Sequence, residues 1–285
     1  MWFKKLRTMC DSLITIEPKV LDKIEELDQK GLYNEHVDTI NYDICDPVTK
    51  DYPYIKKPLK LRIKYFFIYN FIVRLYEPRE LKAMGFSVSG RENLKGIENA
   101  VCTCNHINKL DCVLMRKALK GHKLYITAAP FNNMKGLLGD IMRSSRMMPM
   151  CDEREGMANF IKSVNTLLST NNYVLFFPER SEWWCYKKPR PTQIGAFHFA
   201  AKNNVPVIPS FVTFSENGRV DKNGVKLYDM HVNILKPIYP REGLTNKEQS
   251  LYLQQEHDKA WKECYEKTYG VPLKLNEQVS EEKKD

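Results

Sequence analysis

From Gly85 onward, short apolar runs alternate with longer stretches in which apolar residues recur at helical spacing. Six runs have the length and composition of strands, at residues 86–88, 100–104, 124–128, 147–151, 173–177 and 205–214. Helical spacing lies between them, at residues 110–120, 157–169 and 194–203. Strands that alternate with helices are typical of parallel sheets, because each crossover helix returns the chain to the same end of the sheet. This region is therefore predicted to be α/β, with a mostly parallel central sheet flanked by helices.

Segments on both sides of this alternation add further elements. Helices are predicted at 18–29, followed by Gly31 as a stop signal, at 59–76, ended near Pro78, and at 246–269. Loop is expected at 36–58, and an antiparallel hairpin at a sheet edge is expected from 226–229 and 231–235. We therefore expect an N-terminal helical and loop region at 1–54, an amphipathic helix at 55–84 and the main domain at 85–285.

The composition excludes several classes of protein. The uncharged, mostly apolar run at residues 65–73 is about half as long as a membrane span needs to be. The first residues are basic but no apolar segment follows them, so no secretory signal is expected. The eight cysteines include no C-x-x-C pair, and Cys102 and Cys104 alternate within a predicted strand. We expect small core cysteines in a reducing, cytoplasmic compartment rather than a disulfide or zinc framework.

Positive charge is concentrated in one segment. The net charge is +9, and residues 55–82 carry eight basic residues against two acidic ones. The same segment is rich in aromatic side chains, namely Tyr65, Phe66, Phe67, Tyr69, Phe71 and Tyr76. Such a helix is typical of the interface of an anionic membrane, and the alternative is a core helix with a basic outer face. We expect peripheral attachment to the inner face of the membrane and no nucleic-acid partner.

The first cluster suited to catalysis follows the predicted strand at 100–104. It consists of Asn105 and His106, with Asp111 five positions after the histidine, where a helix is predicted to begin. This spacing lets the carboxylate fold back onto Nδ1 of the imidazole, which leaves Nε2 free to take a proton from a hydroxyl. The carboxyl ends of strands are also where α/β sheets bind ligands. The alternative is that His106 and Asp111 only cap the strand and the helix.

Two further segments follow in order along the chain. Residues 177–181 are Phe-Pro-Glu-Arg-Ser, which places Glu179 and Arg180 after a predicted strand, on the same side of the sheet as His106. An ordinary ion pair within a loop is the alternative for these two residues. Gly195-Ala196 then precedes the apolar segment Val-Pro-Val-Ile-Pro at 205–209.

Together these segments resemble the glycerolipid acyltransferase family, which includes the 1-acyl-sn-glycerol-3-phosphate acyltransferases. The resemblance extends over about residues 85–240. Asn105, His106 and Asp111 match the family's Asn-His-x4-Asp motif, residues 177–179 match the start of Phe-Pro-Glu-Gly-Thr-Arg-Ser, and 205–209 matches the fourth motif. The candidates for the arginine of the second motif are Arg154 and Arg146, of which Arg154 is preferred because a helix is predicted to follow it.

The sequence departs from the family pattern where the acceptor phosphate is expected. Residues 180–183 are Arg-Ser-Glu-Trp in place of Gly-Thr-Arg-Ser, so that arginine is displaced to Arg180 or absent. The family usually has two further lysines. The stretch where the first is expected reads Ala-Ala-Pro here, at 128–130, and the position of the second is occupied by Gln193. A cluster of Lys187, Lys188 and Arg190 beside Trp183 and Trp184 is a candidate replacement. These departures leave the identity of the acceptor open.

The resemblance implies transfer of a fatty acyl group from acyl-CoA or acyl carrier protein to the hydroxyl of a lysophospholipid. The expected acceptor is 1-acyl-sn-glycerol-3-phosphate, and its acylation gives phosphatidic acid. It assigns catalysis to His106 and Asp111, and substrate binding to Asn105, Arg154, Glu179 and Arg180. No cofactor or metal is expected, because a thioester is already activated and a general base suffices. The alternatives are another lysolipid or an amino-lipid as the acceptor, or a non-catalytic lipid-binding protein at a membrane surface.

Overall fold

A computed structural model of the chain describes residues 16–221 and 223–278, which include a seven-stranded sheet. The strands are β1 (Ser87–Ser89), β2 (Ala100–Cys104), β3 (Leu124–Ala128), β4 (Met147–Pro149), β5 (Tyr173–Phe176), β6 (Val207–Val220) and β7 (Lys226–Ile234). They lie in the order β1-β7-β6-β2-β5-β3-β4, and within the described residues every neighbouring pair except β6–β7 is parallel. The predicted α/β fold with a mostly parallel sheet is confirmed.

Helices lie before, between and after the strands. They are α1 (Pro18–Gln29), α2 (Leu59–Ile68), α3 (Arg74–Ala83), α4 (Asp111–Ala118), α5 (Gly136–Ser144), α6 (Arg154–Leu168), α7 (Gly195–Asn203) and α8 (Asn246–Tyr269). The bounds of α1 and α8 agree with the periodicity, and α8 begins with a capping box between Thr245 and Glu248. The helix α5 was not predicted, because its two glycines conceal the apolar pattern.

The sheet is buried on both faces. Residues that lie side by side on β2, β5 and β6 share a face: Cys102 faces Leu175 and Ile208 in one core. Val101, one position away on β2, belongs to the opposite core, because successive side chains of a strand point to opposite faces. Cys102 and Cys104 are both fully buried in the same core, as their spacing predicted.

Two predicted boundaries are wrong. The hairpin expected within residues 226–235 is one continuous strand, β7, which pairs antiparallel with β6. It lies inside the sheet, because β1 covers its other side. The helix expected to end near Pro78 continues through a π-helical turn at Tyr69–Val73 and then through Pro78 to Ala83. Pro78 cannot donate to the carbonyl of Arg74, but that carbonyl lies at the junction with the π-helical turn, where regular helical bonding is already interrupted.

The N-terminal region packs against the sheet domain. α1 buries its apolar face in a cluster with Trp183, Trp184 and Tyr186, while Val48 and Tyr54 join the core beside α6 and α7. Within the described residues, no helix combines the length and the apolar character that a membrane crossing requires. The predictions about the first residues and Cys10 lie outside the described part of the chain.

Candidate active site

Adjacent strands bring the predicted site residues to one edge of the sheet. β5 and β6 flank β2 and run parallel to it, so their carboxyl ends lie side by side. Asn105 and His106 directly follow β2, while Glu179 and Arg180 follow β5 after a Phe-Pro pair. The fold therefore brings the Asn-His-x4-Asp motif and the Phe-Pro-Glu motif to the same end of the sheet.

His106 and Asp111 are joined by a hydrogen bond. Nδ1 of His106 lies 3.0 Å from Oδ2 of Asp111, and because a carboxylate only accepts, we assign the proton to Nδ1. The same oxygen accepts the backbone N–H groups of Ile107 at 2.7 Å and Asn108 at 2.9 Å. Asp111 thus orders the turn before α4 and also orients the imidazole. This arrangement leaves Nε2 of His106 available as a base.

The surroundings of His106 favour its protonated form. Its ring stacks on Phe177, with ring centroids 4.2 Å apart, and 24% of the side chain remains exposed. Burial lowers the pKa of His106, but the hydrogen bond to Asp111 and the charges of Glu182 and Asp111 outweigh burial, so that the pKa is raised above its ordinary value of 6.5. A histidine of raised pKa is a stronger base, and its exposure lets it meet a substrate.

Glu182 provides a test of this electrostatic coupling. Burial raises the pKa of Glu182 to about 7, while the charge of His106 acts in the opposite direction. The general base must be neutral, so kcat/KM is expected to fall as pH drops through the pKa of His106. Glu182→Gln removes a carboxylate that stabilises the imidazolium, and the acid limb of the kcat/KM profile should therefore move to lower pH by less than about one unit.

The measurement compares the pH–rate profile of Glu182→Gln with that of Glu92→Gln. Glu92 is an exposed residue of the 3-10 helix Arg91–Leu94 and serves as the control. The plateau of kcat/KM at high pH should stay close to the wild-type plateau, because the His106–Asp111 pair is untouched. An unchanged or upward-shifted acid limb would show that Glu182 does not act on the base.

Glu179 is paired with Arg190 and not with Arg180. Nη2 of Arg190 donates to Oε2 of Glu179 at 2.9 Å, and the backbone N–H of Arg190 donates to Oε1 at 2.8 Å. Oε2 also accepts the backbone N–H of His106 at 2.9 Å. Both carboxylate oxygens are occupied and Glu179 is buried, so its side chain positions the His106 backbone, and its contact with substrate stays a prediction. The sequence showed Arg190 only as a candidate cation between two prolines, with no sign of this pairing.

Asn105 also braces the site, and its contact with substrate stays a prediction. Its side-chain amide donates to the carbonyl of Val212 at 3.0 Å and accepts the N–H of Val212 at 2.7 Å. Asn105 is buried, and both polar atoms of its side chain are bonded to the backbone of Val212. These two bonds join the end of β2 to β6 at the residue that precedes His106.

Arg180 is exposed beside the site. Its φ of 72° lies in the left-handed region, which favours glycine, and glycine is the residue that the matched motif has at this position. Its guanidinium makes no hydrogen bond or ion pair with the described residues. In the neighbouring basic cluster, Lys188 pairs with Asp28 at 2.8 Å, Arg190 pairs with Glu179, and Lys187 lies over the rings of Phe214 and Tyr269. Arg180 has no such contact with a described residue, so it is free to meet an anionic ligand.

Arg154 lies farther along the same edge. It is the first residue of α6, which follows β4. β4 is three strand positions from β2, or about 14 Å at the usual spacing between strands. Its side chain is exposed and forms no bond to a described residue of the site. The role of Arg154 in substrate binding stays a prediction.

Among residues 16–221 and 223–278, no group of three or more histidine, cysteine or acidic side chains could hold a metal ion. The cysteines of this part of the chain are free, and burial raises the pKa of Cys102 and Cys104, which suits inert core thiols.

Comparison with known proteins gives a family match and a similar solved structure. A family model described as Acyltransferase matches residues 85–213. Among solved structures, the chain is similar to the 1-acyl-sn-glycerophosphate (LPA) acyltransferase PlsC from Thermotoga maritima, with 16% sequence identity, a TM-score of 0.49, and coverage of 76% of this chain and 98% of that one. A comparison with curated proteins gives no match. Residues 85–213 of this chain therefore form an acyltransferase domain, which confirms the resemblance drawn from the sequence motifs.

Proposed function

We propose that this protein transfers a fatty acyl group from acyl-CoA or acyl carrier protein to the free hydroxyl of 1-acyl-sn-glycerol-3-phosphate, which forms phosphatidic acid. The observation that carries the proposal is the His106–Asp111 hydrogen bond of 3.0 Å at the carboxyl edge of the sheet, within an acyltransferase domain. Such a pair supplies a general base, which is what an alcohol needs to attack a thioester.

The reaction follows from this geometry. The acceptor hydroxyl gives its proton to Nε2 of His106 while its oxygen attacks the carbonyl carbon of the thioester. The carboxylate of Asp111 stabilises the imidazolium that forms. The tetrahedral intermediate then collapses, the carbon–sulfur bond breaks, and the imidazolium returns the proton to the departing thiolate. An ester and a free thiol are produced, and His106 is again neutral.

Arg180 supports a phosphorylated acceptor. It lies just after the buried Glu179, and its guanidinium has no partner among the described residues. A guanidinium matches two phosphate oxygens at once. We therefore place the acceptor phosphate at Arg180, with the acceptor hydroxyl directed toward His106.

A second candidate acceptor is an amino-lipid or another lysolipid. Glu182 stands where the matched motif has an arginine, and it acts electrostatically on His106 together with Asp111. A carboxylate at this position favours a cationic head group over a phosphate. This candidate keeps the same catalytic chemistry and changes only the acceptor.

The experiment is thioester consumption with a panel of acceptors that share one acyl chain: lysophosphatidate, lysophosphatidylethanolamine, monoacylglycerol and a single-chain amino-lipid. Release of free thiol is followed with acyl-CoA and with acyl carrier protein as donors. Preference for lysophosphatidate, lost in Arg180→Ala, supports the proposal. Preference for an amine-bearing acceptor supports the second candidate, and absence of turnover with every acceptor would leave a lipid-binding protein without catalysis.

We also propose that α2, the π-helical turn after it and the first turn of α3 attach the protein to an anionic membrane. Their exposed apolar side chains are Leu59, Ile63, Phe66, Phe67, Phe71 and Leu75. Phe66 is 61% exposed and Phe71 is 66% exposed, which is unusual for aromatic residues unless another phase covers them. Basic side chains on the same segment suit anionic head groups. Attachment there would bring the acceptor lipid to the enzyme.

Vesicle binding tests the attachment. Replacing Phe66, Phe67 and Phe71 together by serine should weaken co-sedimentation with phosphatidylglycerol-containing vesicles more than about 10-fold, because burying one phenylalanine side chain contributes roughly 1.5–3 kcal/mol. Ile161→Ser with Leu251→Ser, at exposed apolar positions on α6 and α8, is the matched control. Equal binding by the triple variant and the control would rule this segment out as the membrane anchor.

A further inference from the structure

A short N-terminal segment, residues 33–38, lies outside the matched acyltransferase domain and crosses the loop that follows β5. Nε1 of Trp183 donates to the carbonyl of Glu35 at 3.0 Å. Nη1 of Arg190, the residue that holds Glu179, donates to the carbonyl of Tyr33 at 3.3 Å. The segment is therefore fastened to the same loop that positions the His106 backbone.

His36 is the residue of this segment that comes to the site. Its ring meets Phe131 edge-on, with ring centroids 5.8 Å apart, and Phe131 follows β3. The charged groups that act on His36 are Arg180 and His106 together with Glu35 and Asp38 of its own segment. His36 thus lies between the loop after β3 and the loop after β5, within electrostatic range of the catalytic histidine.

His36 and Arg180 form an unusual pair. The imidazole is half-buried, yet neither ring nitrogen bonds to a described residue, and the guanidinium of Arg180 is likewise without a partner there. Burial and the charge of Arg180 lower the pKa of His36, so the fold holds together two groups that repel each other when both are charged. Arg180 is exposed and His36 is half-buried, so a ligand can reach both from solvent, and an anion between them would accept hydrogen bonds from both.

We propose that His36 is a second acceptor-binding residue, which holds the acceptor's phosphate together with Arg180 beside His106. The inference rests on the proposed function, because it names the residues that bind its acceptor. The segment also lies beside the two stretches where this sequence lacks the lysines of the matched family. Phe131, the contact of His36, directly follows Ala-Ala-Pro at 128–130, and Gln193 donates to the side chain of Asn34 at 3.0 Å.

The test compares acceptor KM in His36→Ala and His36→Phe with wild type. His36→Phe keeps a ring against Phe131 but has no ring nitrogen, so it separates packing from binding. Both variants should raise KM for lysophosphatidate by roughly 10-fold or more, while KM for the acyl donor and kinetics with monoacylglycerol stay unchanged. The matched control is His122→Ala, a half-buried histidine that stacks on Tyr173 at the opposite edge of the sheet.

A double variant tests whether the two residues share one phosphate. His36→Ala combined with Arg180→Ala should raise acceptor KM by clearly less than the product of the single effects, as residues that bind one group are coupled. A multiplicative effect, or an equal loss with both acceptors, would overturn the role of His36. Wild-type enzyme that transfers no acyl group to lysophosphatidate would instead overturn the proposed function and this inference with it.

Discussion

His106→Ala is expected to lower kcat by about 10²–10⁴-fold, the contribution of a well-placed general base. Nε2 of His106 is the proton acceptor of the proposed reaction, and alanine has no group to replace it. The fold should survive, because the ring rests against Phe177 at the edge of the site and 24% of the side chain is exposed. The measurement is kcat for thioester consumption, together with the midpoint of thermal unfolding.

Asp111→Asn extends this prediction to the second member of the dyad. An asparagine amide can donate to Nδ1 and so stabilise the wrong tautomer, and it carries no charge to stabilise the imidazolium. kcat should therefore fall severely here too. The control is His198→Ala, at an exposed histidine on α7, which should keep wild-type kcat. If His106→Ala retained more than about a tenth of wild-type kcat, the general-base role would be refuted.

Arg190→Ala is expected to destabilise the fold by about 3–5 kcal/mol, because it leaves the buried carboxylate of Glu179 without its partner. The pair is enclosed: the side chain of Arg190 is inaccessible to solvent and that of Glu179 nearly so. The guanidinium also lies over the ring of Trp183, 4.8 Å from its centroid, and donates to Oγ of Ser181 at 3.0 Å. Equilibrium unfolding in urea measures the loss.

A paired substitution separates stability from positioning. Replacing Glu179 and Arg190 together by methionine removes both charges and should recover much of the stability lost in Arg190→Ala. Activity should stay low, since the backbone N–H of His106 has lost the carboxylate that holds it. The comparison is Lys188→Ala, which breaks a more exposed ion pair with Asp28 and should cost about 1 kcal/mol or less. If Arg190→Ala lowered the free energy of unfolding no more than Lys188→Ala does, the buried pair would not stabilise the fold.

Local pattern explains which structural predictions succeeded. β2, β3, α1 and α8 have the bounds that their periodicity predicts, because a repeat of two or of 3.6 residues marks the buried face of each element. The π-helical turn and the helix through Pro78 were missed, since packing against neighbouring elements overrides a local stop signal.

The sequence by itself determined the α/β fold and the His106–Asp111 pair, because the hydrogen bond joins residues only five positions apart at the junction of a strand and a helix. Only the tertiary structure decided what surrounds that pair. The bonds between Asn105 and Val212 span 107 positions, and the bond between Arg190 and the carbonyl of Tyr33 spans 157. Such contacts depend on the order of the strands and the packing of loops, which no local pattern of residues encodes. For that reason the partner of Glu179 and the approach of His36 to the site could be found only in the folded chain.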